Sequence, residues 1–300
     1  MTKANSGTPF DLIAPIGDLG AAFNLDQKVI FDSEVTAGKK IIVNTPLHLK
    51  SFVRKVAKNT LNYFNLRCGA RINIVDSKLL GLPGELESSC IVAVASLLGD
   101  IARKNGSIHE LRVDKYLREQ FFQVSDRVLE KNLILKLSNI SGLSFAKLCA
   151  CFYGGFAVSR DTNLLRSGEM EEFKVKIIET PINKKKGFKT VLSNERELLW
   201  NEVYRGNFYS PMNLSALLSS SSKNRDNIIK EISKGSLACS IEGGFTAHLY
   251  RENSKSQDRN NTNLLSILNE GVKVLEKSRR IYKLKDFLKL EGAREFGILS

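Results

Sequence analysis

Residues 10–45 alternate between apolar and polar positions through FDLIAPIGDLGAAFNL, QKVIFDSEV and KKIIVNT, which predicts strands, with Ala37-Gly38 turning the last two. Thr45-Pro46 then predicts an N-cap with proline at the first helical position. Leu49, Phe52, Val53, Val56, Ala57 and Leu61 follow at helical spacing, with Lys50, Arg54, Lys55 and Lys58 on the solvated side. ARINIVD (70–76) predicts another strand. A helix over about Ser88–Lys104, closed by Asn105-Gly106, is apolar nearly all round and therefore central and buried. Helices are also predicted over Val113–Asn132 and Gly142–Tyr153, the latter running into a strand at GGFAVS.

The composition turns polar over Arg160–Glu172, predicting a loop and a domain boundary that divides the chain into 1–165 and 166–300. Beyond it, EFKVKIIET predicts a strand and NKKKGF a solvent loop. SNERELLWNEVYRGNFYSPMNLSALLSSSS predicts two helices broken near Gly206–Pro211, and Trp200 and Tyr204, one turn apart, read as packing. IIKEISKG, SLACSIEGGFTAHLYRE and LLSILNEGVKVLEKS predict helix, strand and helix, with a linker at 253–263. The mixture is an α+β chain.

The bulk numbers narrow the function classes. At 300 residues, 42% hydrophobic and 26% charged, a sizeable core is expected, and the longest apolar run, Cys90–Leu98, is too short to span a bilayer. The five cysteines are odd in number and set mostly in apolar runs, which fits reduced thiols and a cytoplasmic setting. The three histidines are scattered, so no metal cluster is expected. A net charge of +13 attracts anions in general. Nothing resembles an RNA-binding aromatic signature, so nucleic acid is not an expected partner.

Four glycine-bearing stretches stand in order: APIGDLGAAFNLD, GLPGELESSCIVAVASLL, LCACFYGGFAVS and GSLACSIEGGFTAHLY. The series resembles the GHMP small-molecule kinases, and among them the archaeal-type shikimate kinases. Gly20-Ala21-Ala22-Phe23 with Asp26 is similar to that family's opening strand pair. Leu86, Ser88 and Ser89 match its ATP loop, Cys151-Phe152-Tyr153-Gly154-Gly155 its helix-to-strand passage, and Gly235–Ala247 its third motif. The resemblance implies a two-domain GHMP fold, with an N-terminal α+β domain and a C-terminal ferredoxin-like sandwich. It also implies ATP- and Mg²⁺-dependent phosphorylation of a small hydroxylated acid such as shikimate, in aromatic amino-acid biosynthesis. Pro83, Gly84, Glu85, Leu86, Glu87, Ser88, Ser89 and Cys90 would hold the phosphates at a helix N-terminus, Gly243 and Gly244 would support them, and Ser88 would hold Mg²⁺. Ser88 on its own residue pattern reads as a helix cap, and the ordered set of motifs turns that reading to the phosphate role.

The departures from the family pattern bear on chemistry. Glu85 stands where the family has its loop glycine, and Glu87 where it has a lysine. The family's first-stretch lysine aligns with Leu19, beside Asp18, and its acidic pair falls on Ala146 and Lys147. Glu242 precedes the third motif's Gly243-Gly244. Lys147, facing the γ-phosphate, and Asp18 or Glu87, facing Mg²⁺ or the acceptor hydroxyl, are the candidate replacements. The second reading is an inactive relative that keeps the fold to bind ligands, anions or partners. Arg160 and Arg166 are candidates to clamp a carboxylate, though solvated loop arginines are the commoner case. His248 reads as a core histidine.

Overall fold

The computed structural model describes residues 1–36, 38–63, 68–77, 82–103, 143–180, 193–251, 264–275 and 281–283. The predicted helix at Val113–Asn132, the NKKKGF loop and the 253–263 linker lie outside the described residues.

The alternating N-terminal stretch forms β1 (Thr2–Asp11) and β2 (Leu19–Thr36), paired antiparallel from Thr2↔Ser33 to Asp11↔Ala22 with one bulge between Ser6 and Thr8. The end of the first predicted segment and the whole of the second run together here: β2 is one strand of 18 residues. It pairs with β4 (Gly69–Ser77) along its second half, and β3 (Ile41–Asn44) adds to β4 in parallel. Helix α1 (Leu47–Tyr63) packs its predicted apolar stripe inward. Its first carbonyl acceptor is Pro46, which receives the Lys50 N–H at 3.1 Å, so the cap falls one residue after Thr45.

Helix α2 (Glu85–Arg103) lies against β1 and β2 with Cys90–Leu97 almost wholly buried. Polar side chains pin it there: Ser96 and Ser33 hydroxyls meet at 2.6 Å, and Asp100 accepts from the Thr2 hydroxyl at 3.2 Å and the Val35 N–H at 2.8 Å. Helix α3 (Phe145–Tyr153), capped by Ser144, completes this core.

Gly154 and Gly155, both at positive φ, lead into β5 (Phe156–Arg160), which pairs with the start of β2. The polar loop predicted at Arg160–Glu172 is corrected here, because β6 (Asn163–Gly168) folds back on β5 as a hairpin turning at Asp161. Its side chains are mostly exposed, which is why the segment reads polar.

The remainder builds a four-stranded antiparallel sheet. It contains β7 (Phe173–Glu179), then helices α4 (Ser193–Arg205), α5 (Tyr209–Ser219) and α6 (Ser222–Ser233), then the hairpin β8 (Ala238–Glu242)–β9 (Phe245–Arg251), and β10 (Leu264–Ser266), in spatial order β10-β7-β9-β8. The chain then returns to the first sheet as β11 (Lys273–Leu275) beside β1, with β12 (Ile281–Lys283) outside it. The helix predicted for LLSILNEGVKVLEKS is therefore corrected to two strands. Its backbone pairs across the molecule: Leu268 N–H donates to Asn24 O at 2.8 Å, and Gly155 N–H to Leu268 O at 2.9 Å. The Asn269 side chain bonds both backbone groups of Met170, and a Cβ at Gly271 would stand 2.1 Å from Phe152 O.

Two cores result, and β1 and β2 run through both. Ala4, Val29 and Phe31 pack under α1–α3, while Phe10, Phe23 and Leu25 pack with Trp200, Val203 and Met212. Among the described residues, no helix is long and apolar enough to cross a membrane.

Candidate functional site

The site lies where β1 ends, α2 and α3 begin, and the β8–β9 hairpin turns. Gly84 has φ +82°, and a Cβ there would stand 2.0 Å from Pro9 O, so only glycine seats this turn on β1. Its carbonyl accepts the Ser88 N–H at 3.0 Å and opens α2. A Cβ on Gly243 would lie 3.4 Å from Pro83, so the hairpin turn backs directly onto the loop. The loop, Lys147 and Gly243-Gly244 are thus brought together. Asp18 sits exposed in the β1–β2 connection; its carbonyl accepts the Asp161 N–H, and its carboxyl shares a hydrogen bond with that of Asp161, holding the latter above its ordinary value.

Within the loop the side chains divide. Leu86 is 41% exposed. Ser88 is wholly buried and donates to Gly7 O at 2.6 Å, so its hydroxyl is committed to β1. Ser89 is equally buried, and its hydroxyl finds no partner among the described residues. Burial pushes the Cys90 and Cys151 thiols far up, out of reach of ionisation at neutral pH. Glu85 lies 3.4 Å from His48 Nε2, and Glu87 accepts the Ser144 N–H at 3.4 Å.

Lys147 projects from the first turn of α3 into a pocket of carboxyls. Its ammonium contacts Glu242 closely and lies 3.4 Å from Asp11 Oδ2, while Glu242 also accepts the Asp11 N–H at 2.8 Å. The Ser240 hydroxyl donates to Asp11 O. Burial works against the charge on Lys147, but Asp11, Glu242 and Glu87 together override it and hold the ammonium above its usual range. Burial, with help from Glu242, pushes Asp11 up to about 8 against the pull of Lys147. Glu242 is also raised by burial, with Lys147 opposing. The group is an ammonium held between two buried carboxyls, and Asp11 keeps most of its proton at neutral pH.

Asp11 and His48 carry no motif in the sequence. Asp11 closes an apolar strand, and its partners lie 136 and 231 positions away, so only the fold unites them. Arg160 and Arg166 lie over the rings of Trp200 and Phe156 at 5.1 and 5.8 Å, and Arg166 donates to Tyr204 O.

Nucleotide triphosphate with Mg²⁺ does not fit this arrangement. Two carboxylates occupy the first turn of α2, Ser88 is spent on Gly7, and the buried Lys147 ammonium is held by carboxyls. A like-charge pair at about 5 Å costs roughly 3 kcal/mol at an effective dielectric of 20.

No family model matches the sequence. Solved structures do match. The mevalonate kinase of Methanococcus jannaschii superposes at TM-score 0.57 with 14% identity, covering 85% of this chain and 92% of that one. A putative homoserine kinase from Listeria monocytogenes gives 0.57 at 10%, over 92% and 100%. A mevalonate diphosphate decarboxylase from Legionella pneumophila gives 0.54 at 14%, over 89% and 99%. The chain therefore has the GHMP-kinase fold: an α+β body with a second, ferredoxin-like sheet, shared with small-molecule kinases and decarboxylases.

Proposed function

We propose that this protein keeps the GHMP fold without phosphoryl transfer and works as a ligand-binding or interaction protein. The observation that carries this reading is the buried Asp11–Lys147–Glu242 cluster at the N-terminus of α2, with Glu87 acting on all three and Glu85 beside it paired to His48. Protein carboxyls already supply the negative charge there that a phosphate would bring.

A second reading is ATP- and Mg²⁺-dependent phosphorylation of a small hydroxylated acid, shikimate by resemblance. The ordered motifs favour it, as do the glycine-only turn at Gly84 and the unpartnered, buried Ser89 hydroxyl. In that reading the first-turn N–H groups of α2 take the phosphates, and Lys147 leaves its carboxyl partners to reach them.

Thermal-shift titration with ATP and ADP, with and without Mg²⁺, separates the two, because a ligand of the folded state raises the melting temperature by mass action. The first reading expects no shift at millimolar nucleotide. A saturable, Mg²⁺-dependent shift, followed by phosphate transfer to shikimate, overturns it.

A further inference from the structure

Away from the ion cluster, a cleft of about 540 Å³ opens where the β6–β7 connection meets the α4–α5 junction. Its volume lies within the range of small-ligand sites, roughly 300–1,000 Å³. Leu214 and the aromatic rings of Phe208 and Tyr209 line one side, and Glu169, Glu171 and Glu202 line its rim. Tyr209 is 37% exposed and Leu214 49%, so apolar surface is left facing the opening.

The three carboxylates differ in what they have left to offer. Glu202 is occupied by Arg205 Nη1 at 2.8 Å and Asn207 Nδ2 at 2.6 Å. Glu171 takes the Tyr209 hydroxyl on Oε2 at 2.8 Å, which fixes its position beside the ring. Its other oxygen, and Glu169, have no partner among the described residues. Arg205 is spent on Glu202, while Arg166 is turned to Tyr204 O and the Phe156 ring. Arg251 lies near enough to act on Tyr209 and the Arg166 guanidinium lies against Gly206, so the recess is aromatic with a carboxylate-bearing rim rather than uniformly acidic.

We propose that this cleft binds a small organic cation with an apolar body. A carboxylate beside an aromatic face recognises an ammonium twice, by a charge-assisted hydrogen bond and by the quadrupole of the ring. The apolar body covers Leu214 and Phe208. The site stands independently of whether the protein transfers phosphate.

Benzylammonium serves as probe, with benzyl alcohol and benzoate of similar shape, titrated against the full chain by calorimetry and by protein NMR. Benzylammonium is expected to bind saturably at millimolar concentration or better, more weakly at high salt, and at least tenfold tighter than either analogue. The double variant Glu169→Gln/Glu171→Gln keeps side-chain size and the Tyr209 acceptor, and is expected to lose about tenfold in affinity with an unchanged melting temperature. Tyr209→Phe keeps the ring, frees Glu171 and is expected to bind no more weakly than the parent. Equal binding of benzoate, an unaffected double variant, or no saturation by benzylammonium overturns the proposal.

Discussion

Replacing Asp11 with Asn tests the electrostatics of the site through stability alone. Burial first, and Glu242 next, raise the Asp11 carboxyl to about 8 in the folded protein, against an ordinary value of 3.8. The folded state therefore holds a proton that the unfolded chain has released. The stability tied to that proton is fully present below about pH 4 and is lost as pH rises through 8. Between pH 6.5 and 8.5 the unfolded carboxyl binds essentially no proton, while the native one goes from almost fully to about one-quarter protonated. Integrating this difference gives a loss of about 2 kcal/mol, or on the order of 5 °C in melting temperature for a chain of this size.

Other groups titrate nearby. Burial lowers His248 to about 4, which makes stability rise with pH below 6.5, and the buried thiols add a loss above pH 8. Both contributions are shared by wild type and Asp11→Asn, so the difference between the two proteins isolates Asp11. Urea unfolding followed by circular dichroism across pH 6.5–8.5 is the assay. Wild type is expected to lose about 2 kcal/mol more than the variant over this window. Parallel slopes, or a wild-type stability that rises relative to the variant, refute the assignment of a proton to Asp11.

Gly84→Ala is expected to cost at least about 3 kcal/mol in urea unfolding, because the new Cβ meets the Pro9 carbonyl as well as a left-handed backbone. Gly17→Ala, at φ +52° with nothing within 4 Å, is expected to cost only about 1 kcal/mol; equal costs contradict the seating of α2 on β1. All five cysteines are free and buried, so a thiol reagent at pH 8 is expected to modify none of them within minutes in the native protein and all five after unfolding. Native labelling of even one at the unfolded rate contradicts this burial.

Much of the fold was legible because its signals are local. The near-continuous apolar run of α2 and the spaced stripe of α1 each state their own environment, and both pack as read. LLSILNEGVKVLEKS misled because its apolar residues satisfy a helical period as well as a strand's. The deciding bonds, Leu268 to Asn24 and Asn269 to Met170, lie 244 and 99 positions away. The polar β6 misled differently, since an exposed hairpin strand has no buried face to announce it. The site follows the same division. The phosphate-type turn was visible as Gly84 and Ser88-Ser89, and Lys147 was visible as a departure. Glu242 was visible too, as the residue before Gly243-Gly244, but its pairing with Lys147 and the part of Asp11 were not, because these meet only when the ends of β1 and β8 converge on α3.

That convergence accounts for the two glutamates at the head of α2. A helix N-terminus carries unpaired N–H groups and the positive end of a dipole, and it favours negative charge within its first turn. In a phosphate-binding loop the ligand supplies that charge. Here Glu85 and Glu87 supply it from inside the chain, and Glu87 additionally holds the Ser144 N–H at the head of α3. Lys147 then balances the carboxyls that would otherwise stand uncompensated among buried groups. Removing Lys147 would leave buried carboxyls without their cation, and removing Glu242 would leave the Lys147 ammonium without its closest partner. On the proposed reading, the loop that would make the site a phosphate cradle serves instead as a joint between the two sheets, where Gly243 backs onto Pro83 and Lys147 meets Glu242.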